Sequence, residues 1–473
     1  MTAARGGSER VRSWGMVQSC RADVRRPRSA EEVSSLLEEA RRTGRPVGLR
    51  GAGCSYGDAS LADGALLLDT TAFSRILDWN PETGILRAEP GATIRQCWQR
   101  GLPDGWWPPV VSGTMEVTLG GAAAMNIHGK NSFRAGSFGD HVRAFEIMLA
   151  GGERRVCSRE ENAELFHAAI GSFGVLGVFT WIELRMKRIA SGLLEVVPHA
   201  VPSFAETFPL FESLAPDADY LVGWHDGFAS GPSTGRGLLH AARHLDDPEA
   251  NDARWFDLER QRLPARLFGV FPRSWIWPGL WCFLHDPGMR LVNALKFRSG
   301  IRHARRGAYR QAHAAYHFLL DYVPNWKYAY RPGGLIQFQP FLPADAAREV
   351  FPELIARLRS GGVTPYLCVT KRHRRDGFLL SYAPDGYSMA LDLRVTPGRR
   401  ERVWALTAEL EELVLSRGGR FYFAKDSVLR PENLRRNFDE SSLLRFRELK
   451  SDLDPGGILT SDLYRRVFAP TAP

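Results

Sequence analysis

The sequence predicts an α+β chain of two or three domains. Three observations lead there. A length of 473 residues exceeds what one hydrophobic core ordinarily serves. Residues 14–189 mix short strand-like runs with few helices. Residues 193–417 hold longer strand-like runs rich in Trp, Tyr and Phe, broken by two amphipathic helices.

Each element has its own signal. Ser29 followed by Glu32 reads as a capping box, Val33, Leu36, Leu37 and Ala40 share one helical face, and Gly44 supplies the stop. Val47 to Leu49 reads as a strand that opens directly into a glycine turn. "ALLLDTTAF" and "GILRAEPGAT" are further strands, "EENAELFHAAIGSFG" a helix and "GVFTWIELRMKRI" an alternating strand. Composition changes at "RIASGLL". Beyond it "YLVGWHD", "GLIQFQPFLP", "PYLCVTK" and "YSMALDLRV" read as strands, with helices at "ADAAREVFPELIARLRSGG" and "ERVWALTAELEELVLSRGG". That order predicts an antiparallel sheet with helices on one face. The tail from "GRFYFAKDSVLRPENLRRNF" reads as strand then helix. Lys425 then ends an apolar strand, where a charge is costly unless it faces a partner or snorkels to water.

Two glycine-rich stretches carry the chemistry. In "RGAGCSYGDAS", Gly51, Gly53 and Gly57 follow a strand, so successive backbone N–H groups can turn toward one anion. The spacing is G-x-G-x-x-x-G and a strand follows, unlike the dinucleotide fingerprint, which opens a helix. This is a nucleotide-pyrophosphate cradle of a non-Rossmann kind or, taken alone, a surface turn. The second stretch is "VSGTMEVTLGGAAAMNIHGKN". Gly113, Gly120 and Gly121 bare the backbone there, and His128 and Lys130 follow as donors toward an anion or a reacting hydroxyl. A lone histidine is as readily structural, but two such walls some 60 residues apart point to one large cofactor bridging them. "AGSFGDHV" and "GSFGVLGVF" add two more glycine-rich turns.

Six cysteines without a C-x-x-C pair argue against a disulfide framework or a structural zinc site, so a reducing cytoplasm is expected and no metal. Residues 1–14 hold no apolar h-region and no apolar run reaches spanning length, so neither a secretory leader nor a membrane span is expected. The net charge of +9 is local: residues 1–30 carry +5 and residues 290–310 carry +7, leaving the remainder at −3. Just before the second cluster lies "SWIWPGLWCFLHD" with Trp275, Trp277 and Trp281. Tryptophans beside cations suit a membrane interface better than a nucleic-acid groove; an ordinary apolar segment with a solvated basic face is the alternative.

The ordered set "SYGDAS", "NIHGKNSFRAGSFGDHVRAFEIMLAGGE", "AELFHAAIGSFGVLGV", "GLIQFQPFLP", "GGRFYFAKDS" and a late "SDL" resembles the vanillyl-alcohol-oxidase-type FAD-dependent oxidoreductases, and among them the decaprenylphosphoryl-ribose oxidases. The likeness covers about residues 13–468, is specific in the N-terminal half and is looser across 193–330. It implies a split PCMH-type FAD-binding domain of two α+β subdomains, residues 1–192 and 418–473, around an antiparallel-sheet cap at 193–417. It also implies site residues. Arg50, Gly51, Ala52, Gly53, Cys54 and Ser55 would face the FAD adenylate and pyrophosphate, with Tyr56, Gly57 and Asp58. Gly113, Thr118, Leu119, Gly120 and Gly121 would complete that wall. The isoalloxazine would lie near Met125, Asn126, Ile127, His128, Val178 and Phe179, and near Tyr422 and Lys425. Many relatives attach flavin through a histidine where this chain has Cys54, so non-covalent FAD is expected. Arabinan-making relatives carry a cysteine where this chain has Ala390, which sets its substrate pocket apart.

The implied reaction oxidises a secondary alcohol of a sugar to a ketone by hydride transfer to flavin N5. Lys425 would stabilise the negative charge left on the reduced ring. His128, Tyr56 and Lys371 are the candidates for proton handling, His128 first because its unperturbed pKa is near neutrality. Lys130, Tyr316, Gln337, Gln339 and Lys371 would hold sugar hydroxyls or a lipid phosphate. The substrate implied is a polyprenyl-phosphoryl pentose, epimerised with a short-chain-type NAD(P)H reductase, by a cytoplasmic protein peripheral at the inner membrane face. An aldonolactone oxidase of soluble sugar lactones is the alternative, and a flavin-free, basic nucleic-acid-binding protein the remote one.

Overall fold

The computed structural model describes residues 7–245, 253–267 and 270–468. Arg5 of the basic N-terminus and the end of the C-terminal return, 469–473, lie outside the described residues. The helix Ala30–Thr43 starts where expected. The Ser29 hydroxyl accepts from Glu32 N–H at 3.3 Å, the Glu32 carboxylate accepts from Arg28 N–H at 2.9 Å, and Gly44 closes the helix at φ 65°. Val33, Leu37 and Ala40 are buried on its inner face against a four-stranded sheet ordered Ser8–Arg12, Ser19–Arg25, Leu66–Asp69, Val47–Arg50. The C-terminal segment extends this sheet: Val47 N–H donates to Ile458 O at 2.7 Å, and Thr460 N–H to Val47 O at 2.8 Å. A second, antiparallel sheet orders Ile76–Asn80, Ile85–Ala88, Val178–Arg185, Val142–Met148 and Arg154–Ser158.

A nine-stranded antiparallel sheet follows, running Tyr309–Ala312, Leu193–Val201, Gly237–His244, Tyr220–His225, Leu367–His373, Gly386–Val395, Pro340–Pro343, Arg420–Phe421; Gly334–Phe338 also pairs with Gly386–Val395. Strand alternation separates its two faces. Tyr387 points to the face covered by the helices Phe204–Leu214 and Ala344–Ser360, where it meets Phe208 at 5.0 Å between ring centroids. Ala390 points the other way, into a cavity, as do Leu367, Val369 and Lys371 on the neighbouring strand. The expectation of helices on one face needs a correction. The helix Asp286–Ala304 crosses the cavity side, where Gly300 lies against Leu238 and Lys296 sits 4.3 Å over the Trp224 ring. The tail also departs from the reading. Its strand ends at Phe421, and Lys425 sits on the turn that follows, with its N–H donating to Tyr422 O at 2.9 Å.

Candidate active site

The three glycine-rich or apolar segments singled out in the sequence form one wall. Beyond Arg50 the chain bends so closely past the second stretch that a Cβ on Gly51 would run into Thr118 Oγ1. Thr118 caps the short helix Leu119–Ala124, its hydroxyl accepting from Gly121 N–H at 3.3 Å. Tyr56 N–H donates to Ala424 O at 2.9 Å, which brings in the turn that carries Lys425. Together with the open face of the nine-stranded sheet they enclose a cavity of about 500 Å³, within the range of small-molecule and cofactor sites. Ala52, Gly53, Cys54 and Ser55 line it, and among the described residues nothing accepts from their backbone N–H groups. Four successive unpartnered amides around a bend make an anion cradle.

Charge in this cavity has one sign. Arg50, Lys130, Lys296, Lys371 and Lys425 line it, and no carboxylate does so among the described residues. Burial pushes the pKa of Lys425 and of Lys130 down to about 7, and Lys371 adds repulsion to both. Lys371 is held at about 8 by burial. The Lys425 ammonium lies 3.7 Å over the Tyr56 ring, and the buried Asp392 carboxyl is the neighbour that favours its charged form. His128 is buried between Lys371, whose Nζ is 3.4 Å from Nδ1, and the Gln339 amide, 3.2 Å from Nε2.

The structure brings most of the sequence-predicted residues to this cavity: Arg50 to Tyr56, Gly113, Thr118, Gly120, Gly121, Met125, Ile127 and His128, and also Lys130, Val178, Phe179, Gln337, Gln339, Lys371, Tyr422 and Lys425. Five others are turned elsewhere. Gly57 packs against the Asp426 backbone, and Asp58 is bound by Arg466 at 2.7 Å. Leu119 is buried in the core. Asn126 donates to Asp376 at 3.3 Å and accepts from Gly139 N–H at 2.9 Å. Tyr316 lies outside the cavity lining; its ring packs on Tyr220 and His317, and it holds Lys130 by accepting from the ammonium through its carbonyl and by seating it 4.1 Å over its ring.

Gly120 is small for a different reason than cofactor access, since a Cβ there would stand 2.8 Å from Pro90 Cβ. Gln337 spends its amide on Asp392 at 2.6 Å. The case for His128 as first proton handler also needs correcting. Burial, then the charges of Lys371, His373 and Lys425, push its pKa well below 6.5, so the ring is neutral and weakly basic. Burial likewise lifts the Tyr56 hydroxyl well above 10, leaving it a donor. Trp224, Val222, His240, Lys296 and Leu320 also line the cavity, and the sequence does not single them out as site residues. Period two along "YLVGWHD" puts Val222 and Trp224 on one face, but no local signal marks that face as the cavity side.

Known proteins are similar to this chain in sequence over most of its length. A family model described as an FAD binding domain matches residues 22–158. A decaprenylphosphoryl-beta-D-ribose oxidase of Mycolicibacterium smegmatis is 29% identical over 475 residues, covering 97% of each chain. A Streptomyces coelicolor protein named for the mprA 5′ region is 32% identical over 389 residues, 79% of this chain and 99% of that one. This chain belongs to the FAD-binding oxidoreductases of the vanillyl-alcohol-oxidase type. A more distant relative of this oxidoreductase is an L-gulonolactone oxidase of Scyliorhinus torazame, 23% identical over 96% of this chain and 97% of that one. The cofactor of this chain is FAD, and the cradle of free amides, in a mostly apolar cavity whose charged side chains are all basic among the described residues, fits a dinucleotide diphosphate with a flat ring beyond it.

Proposed function

We propose that this oxidoreductase oxidises a secondary hydroxyl of a polyprenyl-phosphoryl pentose to a ketone, and that a short-chain-type NAD(P)H reductase completes the epimerisation. The supporting observation is that every ionised side chain lining the cavity among the described residues is basic, and that the cavity continues past the reacting end to Lys296 and the exposed Leu319. A neutral lactone makes no use of those charges. The proposed FAD-binding part is 1–192 with 418–473, around a cap at 193–417.

FAD, when bound, supplies a two-electron acceptor for the carbinol hydrogen. In this proposal Ala52 to Ser55 hold its diphosphate through their free amides, and Met125, His128 and Tyr422 border its ring. Lys425 would supply a positive charge beside that ring. The neutral amine form of Lys371, whose pKa is near 8, takes the hydroxyl proton. Neutral His128 and Gln339 hold Lys371 in position. Anaerobic flavin bleaching across short-chain polyprenyl-phosphoryl pentoses and free aldonolactones tests the reading. Bleaching by the phosphoryl pentoses is expected; bleaching by lactones alone would replace the proposal with a lactone oxidase.

FAD is proposed to be non-covalent. Burial lifts the Cys54 thiol to about 11, so it stays protonated and a poor nucleophile. Acid precipitation should therefore release all flavin into the supernatant, and a yellow pellet would count against it.

We further propose that the protein works at the inner face of a membrane. Among the described residues no helix is long and apolar enough to cross one. Trp275 is 73% exposed and Trp281 54%, while Trp277 packs on Tyr328. Among the described residues none of the seven cations from Arg290 to Arg310 pairs with a carboxylate, and those other than Lys296, which turns into the cavity, each add roughly 1 kcal/mol near an anionic surface. Co-sedimentation with anionic vesicles should be strong at low salt, weaken at high salt, and fall when Trp275 and Trp281 become serine. Absence of binding at low salt would remove the membrane from the proposal.

A further inference from the structure

The cavity extends well beyond the reacting end, and its far part is built by different elements. Lys130 is anchored there by its own carbonyl, which accepts from Leu221 N–H at 2.8 Å. The next residue, Val222, stands directly opposite His240 in the antiparallel pair, and both line the cavity. Two positions on, Trp224 carries Lys296 over its ring at 4.3 Å. Two lysines and an imidazole that burial holds neutral, its pKa pushed down to about 4, thus follow one another along one sheet face as Lys130, His240 and Lys296. They come from a loop, a strand and the Asp286–Ala304 helix, and no carboxylate lines the cavity among the described residues. The cradle of free amides at Ala52 to Ser55 is a separate feature of the same cavity, so one diphosphate leaves this far cluster unused.

We propose that Lys296, His240 and Lys130 form a second anion subsite that binds a phosphate ester, with Lys296 as the residue that closes it. The inference rests on the proposed polyprenyl-phosphoryl substrate for the identity of that ester. Lys130 is buried, His240 half-buried and Lys296 exposed, so a dianionic or monoanionic phosphate among them would accept charge-assisted hydrogen bonds from the two ammonium groups and a neutral one from the imidazole. Trp224 gives the ammonium a fixed seat through the cation–π contact. The outer surface of the same helix exposes Leu291 and Leu295, and Leu319 is exposed at the cavity edge, so apolar surface lies where a chain attached to the phosphate would leave.

The test uses FAD-loaded enzyme and ligands that lack any sugar, so it is independent of turnover. Farnesyl phosphate and farnesol are titrated by calorimetry. Farnesyl phosphate should bind at least about 10-fold more tightly, Lys296→Ala should erase that preference, and Lys296→Arg should keep most of it. Flavin content and melting temperature confirm that each variant is folded; Lys296→Gln serves if the alanine variant is not. Equal affinity for phosphate and alcohol, or a preference unchanged in Lys296→Ala, would overturn the subsite. Displacement of farnesyl phosphate by an equal concentration of inorganic phosphate would assign the site to free phosphate and overturn the lipid-linked ligand. Phosphate-selective binding without flavin bleaching by any phosphoryl pentose would leave the subsite standing and sink the proposed activity instead.

Discussion

Replacing Lys425 by alanine should leave a folded, yellow protein whose flavin is reduced about 100-fold or more slowly, the scale of losing one preorganised charge-stabilising group. The fold should survive. The Lys425 side chain makes no hydrogen bond among the described residues, and burial already penalises its charge, so stability does not rest on it. Its place is held by the backbone instead, through the turn at Tyr422 and the bond from Tyr56 N–H to Ala424 O. What the ammonium lacks in the protein is a strong anionic partner. Asp392 is near, but one of its oxygens is committed to Gln337, and burial raises its own pKa to about 6. Charge developing on a reduced ring would supply that partner. Stopped-flow reduction under anaerobic conditions measures the effect. A reduction rate near wild type with flavin bound would take the electrostatic role away from Lys425.

The second large effect is on stability. Arg466→Met should cost about 3 kcal/mol or more and weaken FAD retention, because it strands two buried carboxylates. Arg466 clamps Asp58 through Nε at 2.7 Å and Nη2 at 2.9 Å, holds Asp426 at 2.8 Å, and donates to Leu429 O at 2.6 Å. Asp58 lies three residues beyond the cradle, and Asp426 follows Lys425, so one guanidinium fixes both segments. Gly57, between them, already touches the Asp426 backbone and leaves no slack. Arg466→Lys should fall between the two, since an ammonium cannot reproduce the planar fork. Thermal melting of the FAD-loaded protein and flavin release on dilution are the measurements. A melting temperature within about 2 °C of wild type would show that the network contributes little.

Local signals make part of this molecule legible from its residues in order. The Ser29 to Gly44 helix, the strand ahead of Gly51 and the alternation of the later strands are set by capping, glycine geometry and period. The two glycine walls read as one site because bare backbone has a single common use, close approach. Even there, the reason for a small residue is not always a ligand: Gly120 makes room for Pro90 and Gly57 for Asp426.

By itself, then, the sequence determined the α+β class and the two glycine walls, since each depends on neighbours within a few positions. Tertiary structure alone decided the rest. Arg466 reaches Asp58 across 408 positions, and Lys296 enters the cavity because a helix crosses a particular sheet face. His128 loses its ordinary pKa because it is buried and Lys371 stands 3.4 Å away. Burial and electrostatic coupling depend on distance in space, and the order of residues along a chain does not contain that distance.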